Sequence, residues 1–372
     1  MLIQNATAYV NGEFLELTCV RTQDNIIAEF GTNLIPRVDE EAIDLSGDYL
    51  LPGFVDVHIH AFLGKDTMSG EEAVRHMSRE LKKCGVAAFL PTTMSASLED
   101  TKAALAGIGA VMKNPEPNGA IVLGAHMEAP FLSAHRCGAQ VAAHFIPPTM
   151  EAWMEMTGDF ASTVRIITLA PELDGAQNWI REITGRGVVV SIGHSDATCE
   201  QTHLAGDYGA THVTHLFNAQ TPLHHRDPGV PGAALTDSRL YAEIIADGIH
   251  LHPDILRLTL LAKGREKTVL VSDAMEAAGM PEGVYQLGGQ MVYVKDGAAR
   301  LTSGTLAGST LTMAKALHNM IGFGIQPKDA VYMATVSPAE SINEALAGRI
   351  VPGAPATMTR WNKAWNMISV IG

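Results

Sequence analysis

The chain has 372 residues, 47% of them hydrophobic and 18% charged, which suits a large packed core and excludes a disordered or coiled-coil chain. Its 26 Lys and Arg against 40 Asp and Glu leave a formal charge of −14, so nucleic acid and anionic membranes are not expected partners. A few local cations would still hold one phosphate.

Residues 1 to 52 read as short strands broken by turns. Ala8-Tyr9-Val10 runs into Asn11-Gly12, a pair that favours a tight hairpin, and then into Glu13-Phe14-Leu15. Met1-Leu2-Ile3-Gln4-Asn5 lacks the basic segment and apolar run of a secretory signal, and no later apolar run has membrane-spanning length. Cys19, Cys84, Cys137 and Cys199 form no CxxC pair, which argues against a disulfide framework or a cysteine zinc site. The expected location is the cytoplasm.

From residue 53 apolar runs alternate with helical stretches, the pattern of a parallel sheet with crossover helices. Strands are predicted at Gly53 to His60, Ala87 to Thr93, Ala120 to Glu128, Arg165 to Glu172, Val188 to Ser195, His212 to Asn218, Tyr241 to His250 and Lys267 to Met275. Glu71 to Cys84 and Leu98 to Met112 are amphipathic stretches between them. Eight β-then-α units over about 220 residues match a (β/α)8 TIM barrel. A doubly wound open sheet is the alternative, but no GxGxxG follows the first strand. The C-terminal stretch returns to short strands and turns. Residues 1–52 and 346–372 are therefore expected to form one small discontinuous β-sandwich domain beside a catalytic barrel at 53–345.

Polar residues gather at the predicted strand ends: His58-Ile59-His60, His126-Met127-Glu128, Gly193-His194-Ser195, Thr214-His215 and Ser272-Asp273. In a barrel these ends converge on one mouth. Residues i and i+2 of a strand share a face, so His58 and His60 can grip one ion together. Imidazoles with a carboxylate suit a divalent transition metal, zinc first, with iron, cobalt and manganese as alternatives. Glu128 could bridge two ions or serve one, while His194 and His215 would complete a site from the opposite wall. Asp273 stands where a general base is needed, although it could also cap the helix after its strand. His76, His203, His212 and His318 read as ordinary core or surface histidines.

Pro52-Gly53-Phe54-Val55-Asp56-Val57-His58-Ile59-His60 resembles the first-strand signature of the amidohydrolase superfamily. Further segments match in order the N-acetylglucosamine-6-phosphate deacetylases within it: Leu90-Pro91-Thr92-Thr93, His126-Met127-Glu128-Ala129-Pro130-Phe131, Gly193-His194-Ser195-Asp196, Thr214-His215-Leu216-Phe217-Asn218-Ala219, Val271-Ser272-Asp273-Ala274 and Thr305-Leu306-Ala307-Gly308-Ser309. The resemblance implies hydrolysis of the acetamido group to glucosamine 6-phosphate and acetate. It implies Glu128, His194 and His215 as primary ligands, His58 and His60 as a second pair, and one or two ions per subunit. Asp273 then deprotonates the attacking water and protonates the leaving amine. Sugar and phosphate contacts would come from Ala129, Gln140, Asn218, Ala219, Arg226, His250 and Leu306. A homodimer is implied, with Arg226 or His250 contributed across the interface.

The chain departs from the family pattern at Gln140, which stands where a histidine is usual; an amide can hydrogen-bond there but carries no charge. Ala61 and Gln220 also replace the usual glycine and methionine. Two other readings are weighed against this one. An amidohydrolase for another N-acyl substrate would share the metals and Asp273 but not need Arg226 and His250. A non-catalytic sugar-phosphate sensor would have no use for Asp273.

Overall fold

The computed structural model describes residues 1–372. Its first hairpin joins Leu2–Val10 to Glu13–Gln23 through Asn11 and Gly12, whose φ values of +51° and +83° are both in the left-handed region that a two-residue type I′ turn demands. The hairpin lies in a seven-stranded sheet ordered Met367–Ile371, Met358–Trp361, Tyr49–Pro52, Leu2–Val10, Glu13–Gln23 and Ile26–Gly31, with Ala42–Asp44 also on Leu2–Val10. Both ends of the chain thus build one small sheet with its own core, which includes Ile3, Val20, Ile27, Leu50, Met358 and Ile371. Tyr9, Phe14, Tyr49 and Trp365 stack along this sheet, with ring centroids 4.4 to 5.8 Å apart. The Tyr9 hydroxyl donates to the Lys328 carbonyl at 2.7 Å, tying the sheet to the helix Pro327–Ala334.

The large unit is a barrel of eight parallel strands: Phe54–Ile59, Val86–Thr93, Ala125–Met127, Val164–Leu169, Val189–Ile192, His212–Val213, Tyr241–Ile245 and Thr268–Val271. Each pairs with the next in sequence, which is barrel order and leaves no reversal of the doubly wound kind. All eight residues of Val86–Thr93 are buried, because helices cover one face of a barrel strand and packed side chains the other. The two predicted amphipathic stretches are helices at Glu71–Lys83 and Leu98–Lys113. The first begins with Glu71 and Glu72 and ends with Lys82 and Lys83, charges that suit the helix dipole; the second is capped by Ser97, whose hydroxyl accepts from the Asp100 amide.

Two details position the site. The strand predicted at Ala120 to Glu128 is interrupted before Ala125 by Gly124, at φ +146°, where a Cβ would stand 2.9 Å from the Thr163 carbonyl oxygen. The barrel closes between its eighth and first strands through their ends: the Asp273 amide donates to the His58 carbonyl at 2.9 Å and the His60 amide to the Ala274 carbonyl at 3.0 Å. Asp56 reinforces this seam by accepting from the Ser272 amide at 3.2 Å. Beyond the eighth strand lies a three-stranded antiparallel sheet, Gly283–Leu287, Gln290–Lys295 and Ala298–Leu301, which the sequence reading did not anticipate.

Candidate active site

The five expected ligands and Asp273 come from five different strand ends and meet in one cluster. The His58, His60 and Asp273 donor atoms lie within 4.8 Å of one another, as do those of Glu128, His194 and His215. His60 Nε2 is 3.3 Å from Asp273 Oδ1 and 3.2 Å from Glu128 Oε2. Glu128 Oε1 faces His215 Nε2 at 2.9 Å and His194 Nε2 at 3.2 Å. Glu128 Oε1 is also 3.5 Å from His58 Nε2, so the carboxylate lies between the two trios and could serve a cation in either.

The donor set fits a divalent cation on the evidence of proton placement. His194 Nδ1 faces the Arg136 carbonyl at 2.9 Å, His60 Nδ1 the Thr92 carbonyl at 3.3 Å and His58 Nδ1 the Glu243 carboxylate at 3.0 Å. Each partner only accepts, so the proton resides on Nδ1 and the Nε2 lone pair points into the cluster. His58 and His60 bring these nitrogens within 3.3 Å, and His194 and His215 within 3.2 Å. Such lone-pair contacts repel unless a proton or a metal ion lies between them.

The electrostatics agree. Burial opposes charge on His58, but Glu128 and Asp273 outweigh it and raise the imidazole to about 9. At His60 burial is likewise overcome by Asp273 and Glu128, and its affinity for a proton lies well above the ordinary value. Burial would raise Glu128 and Asp273, yet the surrounding imidazoles, His58 foremost, hold both carboxyls below their usual range. His126 differs: burial and the neighbouring His58 push it down to about 3. Its Nδ1 meets the Val57 carbonyl at 3.0 Å and its Nε2 the Thr168 hydroxyl at 2.8 Å, so it is a neutral strut beneath the cluster with no lone pair to offer.

His194, His215 and Asp273 have φ of +46°, +29° and +48°. Left-handed backbone is costly for residues with a Cβ and persists only where the surroundings over-determine it, as at a site.

Above the cluster opens a cavity of about 550 Å³. His60, Glu128, Gln140, His194, His215, Asn218, Ala219, His250, Asp273 and Leu306 all line it. His58 lies behind them, fully buried. Two expected substrate contacts do not line the cavity: Ala129 is packed away from it, and Arg226 sits on an exposed turn with its guanidinium 2.7 Å from His225 Nε2. Gln140 is turned toward the cluster. Its Nε2 donates to Glu128 Oε2 while its Oε1 accepts from the Ser95 amide at 2.7 Å. His250 is oriented by Asp247 Oδ2, 2.6 Å from its Nδ1.

Sequence reasoning missed Arg136, Cys137, Thr305 and Arg300 in the cavity wall. Arg300 belongs to the added three-stranded sheet, whose Asp296-Gly297 turn was its one local signal. It also missed Glu243, a carboxylate in the middle of an otherwise apolar strand.

The pattern of the amidohydrolase family matches residues 49–371, and the chain belongs to that family. Within it, the chain is 37% identical over 95% of its length to N-acetylglucosamine-6-phosphate deacetylase of Lysinibacillus sphaericus, covering 91% of that protein. It is 36% identical to N-acetylgalactosamine-6-phosphate deacetylase of Escherichia coli O157:H7, covering 91% of this chain and 89% of that one. Among solved structures, an aspartate-to-alanine mutant of the Mycobacterium smegmatis N-acetyl-D-glucosamine-6-phosphate deacetylase, in complex with N-acetyl-D-glucosamine-6-phosphate, superposes with a TM-score of 0.92 at 30% identity, covering 100% of this chain and 97% of that one. No helix here is long and apolar enough to cross a membrane.

Proposed function

We propose that this protein is a metal-dependent deacetylase that hydrolyses the N-acetyl group of N-acetylglucosamine 6-phosphate to glucosamine 6-phosphate and acetate. The observation that carries this reading is the meeting of five cation-ligating side chains and the Asp273 carboxylate at the floor of a sugar-sized cavity. The names of relatives 36–37% identical over most of the chain support the substrate class.

Glu128, His194 and His215 would hold one divalent cation, and His58, His60 and Asp273 a second, with zinc the first candidate. Such a cation supplies Lewis acidity, making water a nucleophile near neutral pH and polarising the acyl carbonyl. Asp273 does the proton work. It is buried, held ionised by His58 and His60 against its own desolvation, and open to the cavity on one side. It takes a proton from the attacking water as the C–O bond forms. It returns that proton to nitrogen as the C–N bond breaks, because an amine anion cannot leave. Gln140 fixes the Glu128 carboxylate through Nε2.

Asn218, Ala219, His250 and Leu306 form the wall for sugar and phosphate, and Arg300 adds a cation there. Arg226, remote from its own cavity, serves that of a neighbouring subunit in a homodimer. The four free cysteines suit a reducing compartment, consistent with a cytoplasmic location.

The test is acetate release by metal-reconstituted protein from N-acetylglucosamine 6-phosphate, its C4 epimer N-acetylgalactosamine 6-phosphate, and the sugar without phosphate. The epimer is the second reading, raised by the Escherichia coli relative. Preference for the gluco sugar, with loss of the phosphate raising KM, supports the proposal. Turnover of the galacto sugar alone replaces the substrate. No turnover of either leaves an amidohydrolase for another N-acyl compound, and no metal-dependent hydrolysis at all leaves a binding protein.

A further inference from the structure

Glu243 stands in the seventh barrel strand with no solvent exposure. A carboxylate inside a barrel loses its hydration and needs compensating partners. Its Oε2 has two: His58 Nδ1 at 3.0 Å and the backbone amide of His215 at 3.3 Å. Its Oε1 has none. It does not line the cavity, so it cannot meet a substrate.

What distinguishes this contact is the kind of acceptor. Among the candidate ligands, His60 and His194 are oriented by neutral backbone carbonyls, whereas only His58 is oriented by a carboxylate. A carboxylate is the stronger acceptor: it secures the Nδ1 proton and makes Nε2 a better electron-pair donor. It also adds one negative charge beside the His58–His60 pair. His126 cannot share this task, since both its nitrogens are committed to Val57 and Thr168.

We infer that Glu243 is a positioning residue for His58, and that it decides whether the His58, His60 and Asp273 trio holds a cation. The contact to the His215 amide links the same oxygen to the other trio, whose side-chain donors Glu243 does not touch. This inference rests on the metal-dependent reading above, but not on the identity of the sugar.

The experiment is cobalt(II) uptake by metal-free protein, followed by calorimetric titration, by visible absorption and by metal analysis. It compares wild type, Glu243→Gln and Glu243→Asp. Wild type should take up two ions. Glu243→Gln keeps the shape without the charge; it should bind the first ion as wild type does and the second about 10- to 100-fold more weakly. Glu243→Asp keeps the charge but draws the oxygen back by one methylene, and should fall between. Both variants should match wild type in thermal unfolding of the metal-free form.

The inference is overturned if both variants bind two ions with wild-type affinity. It is equally overturned if they lose both ions together with thermal stability, which marks a barrel-holding role, or if wild type binds one ion only. Two ions bound without acetate release would refute the substrate reading and leave this one standing.

Discussion

Replacing Asp273 by Asn removes one proton acceptor and almost no volume, so at equal metal content it reports on the proton transfers. In the structure Asp273 Oδ1 lies 3.3 Å from His60 Nε2 and 3.6 Å from His58 Nε2, and its backbone amide is held by the His58 carbonyl. The side chain therefore cannot swing away, and no other carboxylate on the cavity floor is free, since Glu128 is engaged through both oxygens. One group must both accept and return the proton. A positioned acid or base is worth about 10²- to 10⁴-fold, and a carrier needed twice belongs in the upper part of that range. The expected loss in kcat is about 10³- to 10⁴-fold, or about 4 to 5 kcal/mol of barrier, with KM nearly unchanged. The assay is steady-state acetate release, read beside the metal content of the same sample. A variant that holds wild-type metal and retains a tenth of the wild-type kcat would refute the assignment.

Gln140→Leu strips Glu128 Oε2 of its amide donor and leaves the Ser95 amide without its acceptor. A buried group left unpaired costs about 1 to 3 kcal/mol, which should appear as a ten- to hundredfold weaker metal affinity by competition with a chelator; unaltered affinity would show that Gln140 serves the substrate alone. Arg226→Ala should raise KM for phosphorylated substrate, and mixing it with Asp273→Asn should restore about a quarter of wild-type activity, because half the dimers are then hybrids with one intact site of two. Failure of the mixture to exceed its parts would confine Arg226 to its own chain. Lys263 is pushed down from 10.5 to about 8 by burial, with Lys267 adding to the effect and Asp237 opposing it. Between those two pH values the unfolded chain binds more protons, so stability should rise with pH across that window. The half-exposed site limits the gain to about 1 kcal/mol, and denaturant unfolding of Lys263→Met should lack this rise.

Much of this molecule is written locally. His58, His60, Glu128, His194, His215 and Asp273 lie together at the barrel mouth because a parallel barrel strand is a short apolar run, and a polar residue at its end has nowhere to go but the mouth. The Asn11-Gly12 hairpin followed from backbone sterics alone. Strand alternation does not separate His126 from Glu128: two residues apart, the first is held by Val57 and Thr168 beneath the cluster and the second lies within it.

What tertiary structure decided is which far-separated groups touch. Nothing near Glu243 in the chain announces that it will meet His58, 185 residues away, since that contact exists only because the barrel closes. Gln140, expected as a substrate contact, lines the cavity, and the Ser95 amide fixes its orientation toward Glu128. Arg226 and Arg300 are placed differently for the same reason: the turn leaves one at the surface, and the added antiparallel sheet brings the other over the cavity. Local sequence sets backbone preference and which face is apolar. Protonation, ligand orientation and the choice of partner depend on groups a whole fold apart, and these the folded barrel determines.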